Sequence, residues 1–164
     1  MSYAKQKGTA FETNIVKYFT ECGFTTARRV PLSGASGDKG DIWLGDNPVK
    51  PDVVIECKNY AKELPYKMVE DFVKEAITEY VNATAVNEQQ EPDYFKALLI
   101  AKRPNLGVTD SWLIVKNSYG ITVRYRLGDV VNKTNFSACS NESSRISILE
   151  MLLSGYKQKE SKLP

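Results

Sequence analysis

The stretch Asp52-Val53-Val54-Ile55-Glu56-Cys57-Lys58 limits the fold more than any other part of the chain. Its first half is β-branched and Pro51 leads into it, so it predicts a β-strand. Side chains alternate along a strand, which puts Val53, Ile55 and Cys57 on one face and Val54, Glu56 and Lys58 on the other. A carboxylate and an ammonium on one face of an otherwise apolar strand are costly to bury without partners. Taken alone, the stretch reads first as a strand running out to a polar end. Its neighbours decide between the two.

Asp41-Ile42-Trp43-Leu44 begins a second strand, and Gly45-Asp46-Asn47-Pro48 is a turn signal. The two strands are expected to pair antiparallel, with Asp41 brought beside Glu56 at the end away from the turn. Asp52 shares a face with Glu56, but four strand residues separate them by roughly 13 Å. Oxygens bound to one Mg²⁺ lie about 2.0–2.1 Å from it, so Asp52 and Glu56 cannot share a metal. Asp41 and Glu56 can.

Upstream, residues 9–22 predict an amphipathic helix with Phe11, Ile15, Phe19 and Cys22 on one face and Thr13, Lys17 and Glu21 opposite. Glu12 falls on the core-facing flank, where it needs a cation or a metal, unless it merely favours the helix dipole. Gly23 ends the helix. The loop over residues 31–40 holds Ser33, Ser36, Lys39 and three glycines. It lacks P-loop spacing but would let a backbone and hydroxyls approach a phosphate.

Downstream, Pro65 opens a second helix over residues 65–81, with Met68, Val69, Phe72, Val73, Ala76 and Tyr80 on its apolar face. Residues 82–93 read as a loop and 96–101 as a buried strand. Residues 111–116 and 120–127 read as a hairpin, 143–155 as a last amphipathic helix, and 157–164 as a frayed charged tail. The expected architecture is one α/β domain over residues 1–164, with a central mixed sheet flanked by helices. Glu12, Asp41, Glu56 and Lys58 are expected to meet at one edge of that sheet.

The chain has no histidine, which excludes His-dependent triads, the usual zinc hydrolase sites and histidine-base nucleases. Its three cysteines show no CxxC spacing and read as reduced thiols of a cytoplasmic protein. No apolar run is long enough for a membrane span. Three carboxylates and a lysine suit metal-assisted phosphodiester hydrolysis, with one or two Mg²⁺ polarising the phosphate and activating water.

Glu12, Asp41 and Glu56-Cys57-Lys58 together resemble the PD-(D/E)xK nuclease pattern, with Gly40-Asp41 where that superfamily often has Pro-Asp. The run Lys7-Gly8-Thr9-Ala10-Phe11-Glu12, then Cys22-Gly23-Phe24, Arg28-Arg29, the serine loop and Ala101-Lys102-Arg103-Pro104 resembles the archaeal-type Holliday junction resolvases and their phage relatives. The resemblance covers roughly the first 105 residues. It implies a restriction-endonuclease-like core, Asp41 and Glu56 as metal ligands with the Cys57 backbone carbonyl, and Glu12 as an outer or direct ligand. It also implies Lys58 as the catalytic lysine, and Arg28 or Arg29 with Ser33 or Ser36 near the scissile phosphate. Thr13 stands where the family often has arginine.

The implied activity is Mg²⁺-dependent cleavage of four-way DNA junctions by a two-fold dimer, with Mn²⁺ able to substitute, in a prokaryotic or phage-infected cell. Lys5, Lys7, Arg28, Arg29, Lys39, Lys62, Lys67, Lys102 and Arg103 are the candidate DNA contacts. The exposed sides of the last helix and the hairpin are the candidate dimer surface. Two alternatives stand beside this: a nuclease of the same site acting on linear duplex or ends, and a non-catalytic DNA-binding module on the same fold. The intact acidic set argues against the second, since carboxylates facing phosphates do not help a protein that only binds them.

Overall fold

A computed structural model describes residues 3–30, 38–84 and 94–155, with side chains from residue 6 onward. Ser33 and Ser36, most of the loop over 82–93 and the tail over 157–164 lie outside the described residues, and so does the side chain of Lys5.

Helix α1 (Tyr3–Glu21) leads into β1 (Arg28–Arg29), β2 (Ile42–Leu44) and β3 (Val53–Lys58). Helix α2 (Tyr66–Thr84) then precedes β4 (Ala97–Ala101), β5 (Trp112–Lys116) and β6 (Thr122–Arg126). Three more helices follow: α3 (Leu127–Val130), α4 (Lys133–Phe136) and α5 (Glu142–Leu153). The strands form one mixed sheet in sequence order, antiparallel throughout except for the parallel pair β3–β4. This is a restriction-endonuclease-like α/β fold. No helix among the described residues is long and apolar enough to cross a membrane.

Alternation along β3 sorts its side chains as expected. Val53 and Ile55 enter the main core with Phe11, Ile15 and Phe19 of α1, and Cys57 packs against it. Val54 lies in a second cluster on the other face, beneath Tyr80 and Ala83 of α2.

Several elements differ from the sequence expectation. Helix α1 starts at Tyr3 rather than at Thr9, running through Gly8, where an added Cβ would meet nothing within 4 Å. Glycine inside a helix costs about 1 kcal/mol relative to alanine, too little to stop one that is anchored by packing. Helix α2 continues to Thr84, whose hydroxyl donates to the Tyr80 carbonyl at 2.7 Å, so 82–84 are helix and not loop. Met68 is 37% exposed instead of lying on the buried face. Finally, β3 is interior to the sheet rather than at its edge, so the carboxylates gather at the end of a central strand.

Candidate active site

The site is assembled where β2 begins and β3 ends. Ile42 pairs with Ile55, which places Asp41 one step on, opposite Glu56. Two hydrogen bonds fix it: the Asp41 N–H donates to the Ile55 carbonyl at 3.0 Å, and the Cys57 N–H donates to Asp41 Oδ2 at 2.8 Å. Gly40 makes this approach possible. Its φ is +90°, and any Cβ there would collide with the Val54 side chain.

The carboxyls form a continuous row. Asp41 crowds Glu12 on one side and Glu56 on the other, and Glu79 crowds Glu56 in turn. Two cations flank the row, one at Glu12 and one beside Glu56. Arg29 Nη2 lies 3.0 Å from Glu12. Lys58 Nζ lies 3.3 Å from Glu75 and 3.8 Å from Glu56, and sits over the Phe72 ring.

Crowding and burial oppose ionisation along this row. Burial first, and then Asp41, push Glu12 up to about 6 against the pull of Arg29. Burial pushes Glu79 up to about 8. Burial, reinforced by Glu79 and Asp41, drives Glu56 far above the ordinary carboxylate range. Burial pulls Lys58 down, but Glu56 and Glu75 outweigh it and hold the lysine above its usual value.

Asp38, Glu56, Glu75 and Glu79 can each offer one oxygen within 4.8 Å of the others. Glu56 thus belongs both to the row that begins on α1 and to this group, of which Glu75 and Glu79 stand on α2. Among the described residues, Glu56 Oε2 and both Glu79 oxygens are buried without a hydrogen-bond partner. Two carboxylates about 4 Å apart repel by about 4 kcal/mol at an effective dielectric of 20. Orphaned oxygens without thiolate or imidazole are the donor set of a hard divalent cation, so the residues fit a metal of the Mg²⁺ class.

A sequence profile of the Mrr_cat family, described as restriction endonuclease, matches residues 3–87, just over half of the chain. The chain belongs to this family. As an Mrr_cat domain it is a member of the PD-(D/E)xK nuclease superfamily, and its activity class is metal-dependent cleavage of DNA. Comparisons with curated proteins and with solved structures return no match.

The structure therefore brings Glu12, Asp41, Glu56 and Lys58 together, while Asp52 sits at the turn beside Gly45. It separates the two arginines. Arg29 faces Glu12, whereas the Arg28 guanidinium donates to the carbonyls of Thr26, Gly45 and Asn47, each at 2.8 Å. Lys102 is likewise engaged, its ammonium donating to the Arg103 and Leu106 carbonyls. Lys62 and Lys67 are exposed, and Lys7 and Lys39 half-buried. Glu75, Glu79 and Asp38 are the residues that sequence reasoning missed. A signal for two of them exists: Phe72, Glu75 and Glu79 are spaced by three and four, so the glutamates lie on the helix stripe that faces the sheet.

Proposed function

We propose that this Mrr_cat protein is a Mg²⁺-dependent, structure-selective endonuclease that cuts four-way DNA junctions. The observation that carries the reading is the row of carboxyls with orphaned buried oxygens at the end of β3, beside Lys58. Asp41 and Glu56 would hold the metal with the Cys57 carbonyl, with Glu12 and Glu79 flanking them. When bound, the metal polarises the phosphate and lowers the pKa of its water.

The chain's own residues do the rest. The Cys57 amide orients the Asp41 carboxylate, leaving its acceptor capacity turned to the site. Glu75 and the Phe72 ring hold the Lys58 ammonium beside Glu56, where it orients the attacking water or balances charge on the five-coordinate phosphorus. Arg29 keeps Glu12 in the row and presents a guanidinium to the approaching strand. Junction preference is supported by the resolvase-like motifs around these residues, and a two-fold dimer would supply paired symmetric cuts.

The restriction-endonuclease description of the matched family favours a second reading, in which the same site cuts linear duplex. One gel separates them: labelled four-way junction and duplex of equal arm length, each in Mg²⁺ and in chelator. The junction should be cut in Mg²⁺ alone and faster than the duplex. Equal or faster duplex cleavage transfers the assignment to the second reading, and no Mg²⁺-dependent cleavage of either removes both.

A further inference from the structure

The sheet register carries the α2-side face beyond the acidic row. Lys58 pairs with Ala101, Ala101 with Trp112, and Trp112 with Arg126; one step along, Glu56 leads through Leu99 and Ile114 to Arg124. Helix α2 packs mainly on β3 and β4, so β5 and β6 are left less covered on this face. There a cavity of about 380 Å³ opens, floored by Leu64, Val69 and Ile114 and rimmed by Tyr66, Trp112 and Arg124. That volume lies within the range of small-ligand sites.

Two guanidiniums stack on the same indole: Arg103 and Arg124 each lie 4.3 Å from the Trp112 ring centre. The Trp112 Nε1–H donates to Glu63 at 2.7 Å, which fixes the ring. Neighbouring Arg126 is paired with Asp110 and Asp129. Arg103 and Arg124 have no carboxylate within ion-pair distance among the described residues, and Arg103 Nε is buried without an acceptor. Two guanidiniums stacked on one fixed ring, neither paired with a carboxylate among the described residues, are available to an anion. The adjoining space has an apolar floor, with Glu63, Lys102 and Thr122 also on its walls, and Tyr66 on its rim is 74% exposed. A group that is anionic at one end and flat and apolar at the other fits both halves.

Trp112 is two strands from Lys58, about 10 Å at the usual strand spacing, and Arg124 three strands from Glu56, about 14 Å. That is the reach of a couple of nucleotides of the strand being cut. Arg103, Trp112 and Arg124 lie beyond the segment that matches the nuclease family, while Leu64, Tyr66 and Val69 lie within it.

We propose that this cavity captures one unpaired nucleotide of the DNA, its base against Tyr66 and the outer face of the Arg124 guanidinium, its phosphate on Arg124 at the rim, with Arg103 adding charge from beyond the lining, where it stacks on Trp112. Unpaired bases are read in this way by aromatic rings and guanidinium planes. The inference rests on the DNA-cleaving reading and names the substrate feature it selects: a branch or fork with a base out of the stack near the cut.

The test is anisotropy with fluorescein-labelled DNA in chelator, comparing a fully paired duplex with the same duplex carrying a single-stranded fork. The wild-type protein should bind the fork roughly tenfold more tightly, the scale of one stacked base. Arg103→Ala/Arg124→Ala should remove that advantage, weakening fork binding more than duplex binding. Arg124→Ala alone, at an exposed position, should remove most of it and guards against a folding defect. The proposal is overturned by equal wild-type affinity for the two DNAs, by a variant that keeps the advantage, or by equal weakening on both. Failure of the nuclease reading is distinct: it shows as no Mg²⁺-dependent cleavage by the wild-type protein, read on the same DNAs.

Discussion

On the face of the sheet that carries α1, twenty buried residues form one cluster among the described residues. On the face that carries α2, the buried apolar residues fall into clusters of five and four. Phe19 and Phe24 meet edge-to-face in the first, and Phe24 meets Phe136 the same way. On the second face Glu56 and Glu79 take buried positions, where apolar side chains would pack without cost. The α1 side supplies stability. The α2 side gives some of it up to keep carboxyls close together, in the way that active sites hold groups a core would reject.

The sharpest way to break this contrast is Glu56→Gln. Cleavage should fall by at least about three orders of magnitude, roughly 4 kcal/mol of transition-state stabilisation, because a charge beside the phosphate and metal is lost. The same change should leave the metal-free protein as stable or raise its stability by about 1 kcal/mol, since the amide brings donors to the orphaned oxygens of Glu79. Adding Mg²⁺ should raise the melting temperature of the wild-type protein and not that of the variant. Cleavage kinetics and melting with and without Mg²⁺ read all three. A destabilised apo variant would show that Glu56 belongs to the core as much as to the site.

Phe19→Ala is the counterpart on the other face. Phe19 is fully buried, and its loss should cost about 3–5 kcal/mol of unfolding free energy, measured by denaturant titration. Cleavage per folded molecule should be retained. A loss below about 1 kcal/mol would mean that the α1 face is not where the stability lies.

How much of this was legible follows from the same contrast. The α1 face was readable because a regular pattern encodes it: Phe11, Ile15, Phe19 and Cys22 recur at helical spacing and all are buried, and Val53 and Ile55 alternate into the same cluster. The meeting of Asp41 with Glu56 was readable because a short turn fixes a hairpin's register. Glu79 was legible only in part: its spacing from Phe72 and Glu75 puts it on the sheet-facing stripe, but a glutamate on a helix counts as surface until a fold supplies the carboxyls it faces. The four-residue helices α3 and α4 are too short for any periodicity to announce them. The stacking of Arg103 and Arg124 on Trp112 depends on a register across three strands that no local pattern contains.

The smallest contrast lies within two adjacent residues of β1. Arg28 ties the Thr26 carbonyl to two carbonyls of the turn after β2, those of Gly45 and Asn47, so Arg28→Ala should cost about 1–2 kcal/mol of stability and little else. Arg29 points the other way, onto Glu12, with a side chain that is 45% exposed. An ion pair that open contributes little to stability, so Arg29→Ala should change unfolding by less than about 0.5 kcal/mol. Its effect should appear in cleavage, lowered about tenfold, because Glu12 loses its anchor and the strand loses a guanidinium. Alternation along a strand is the whole reason for the difference. A pair of variants with the effects exchanged, Arg28→Ala inactive and stable, Arg29→Ala active and unstable, would mean that β1 presents its opposite face to the site.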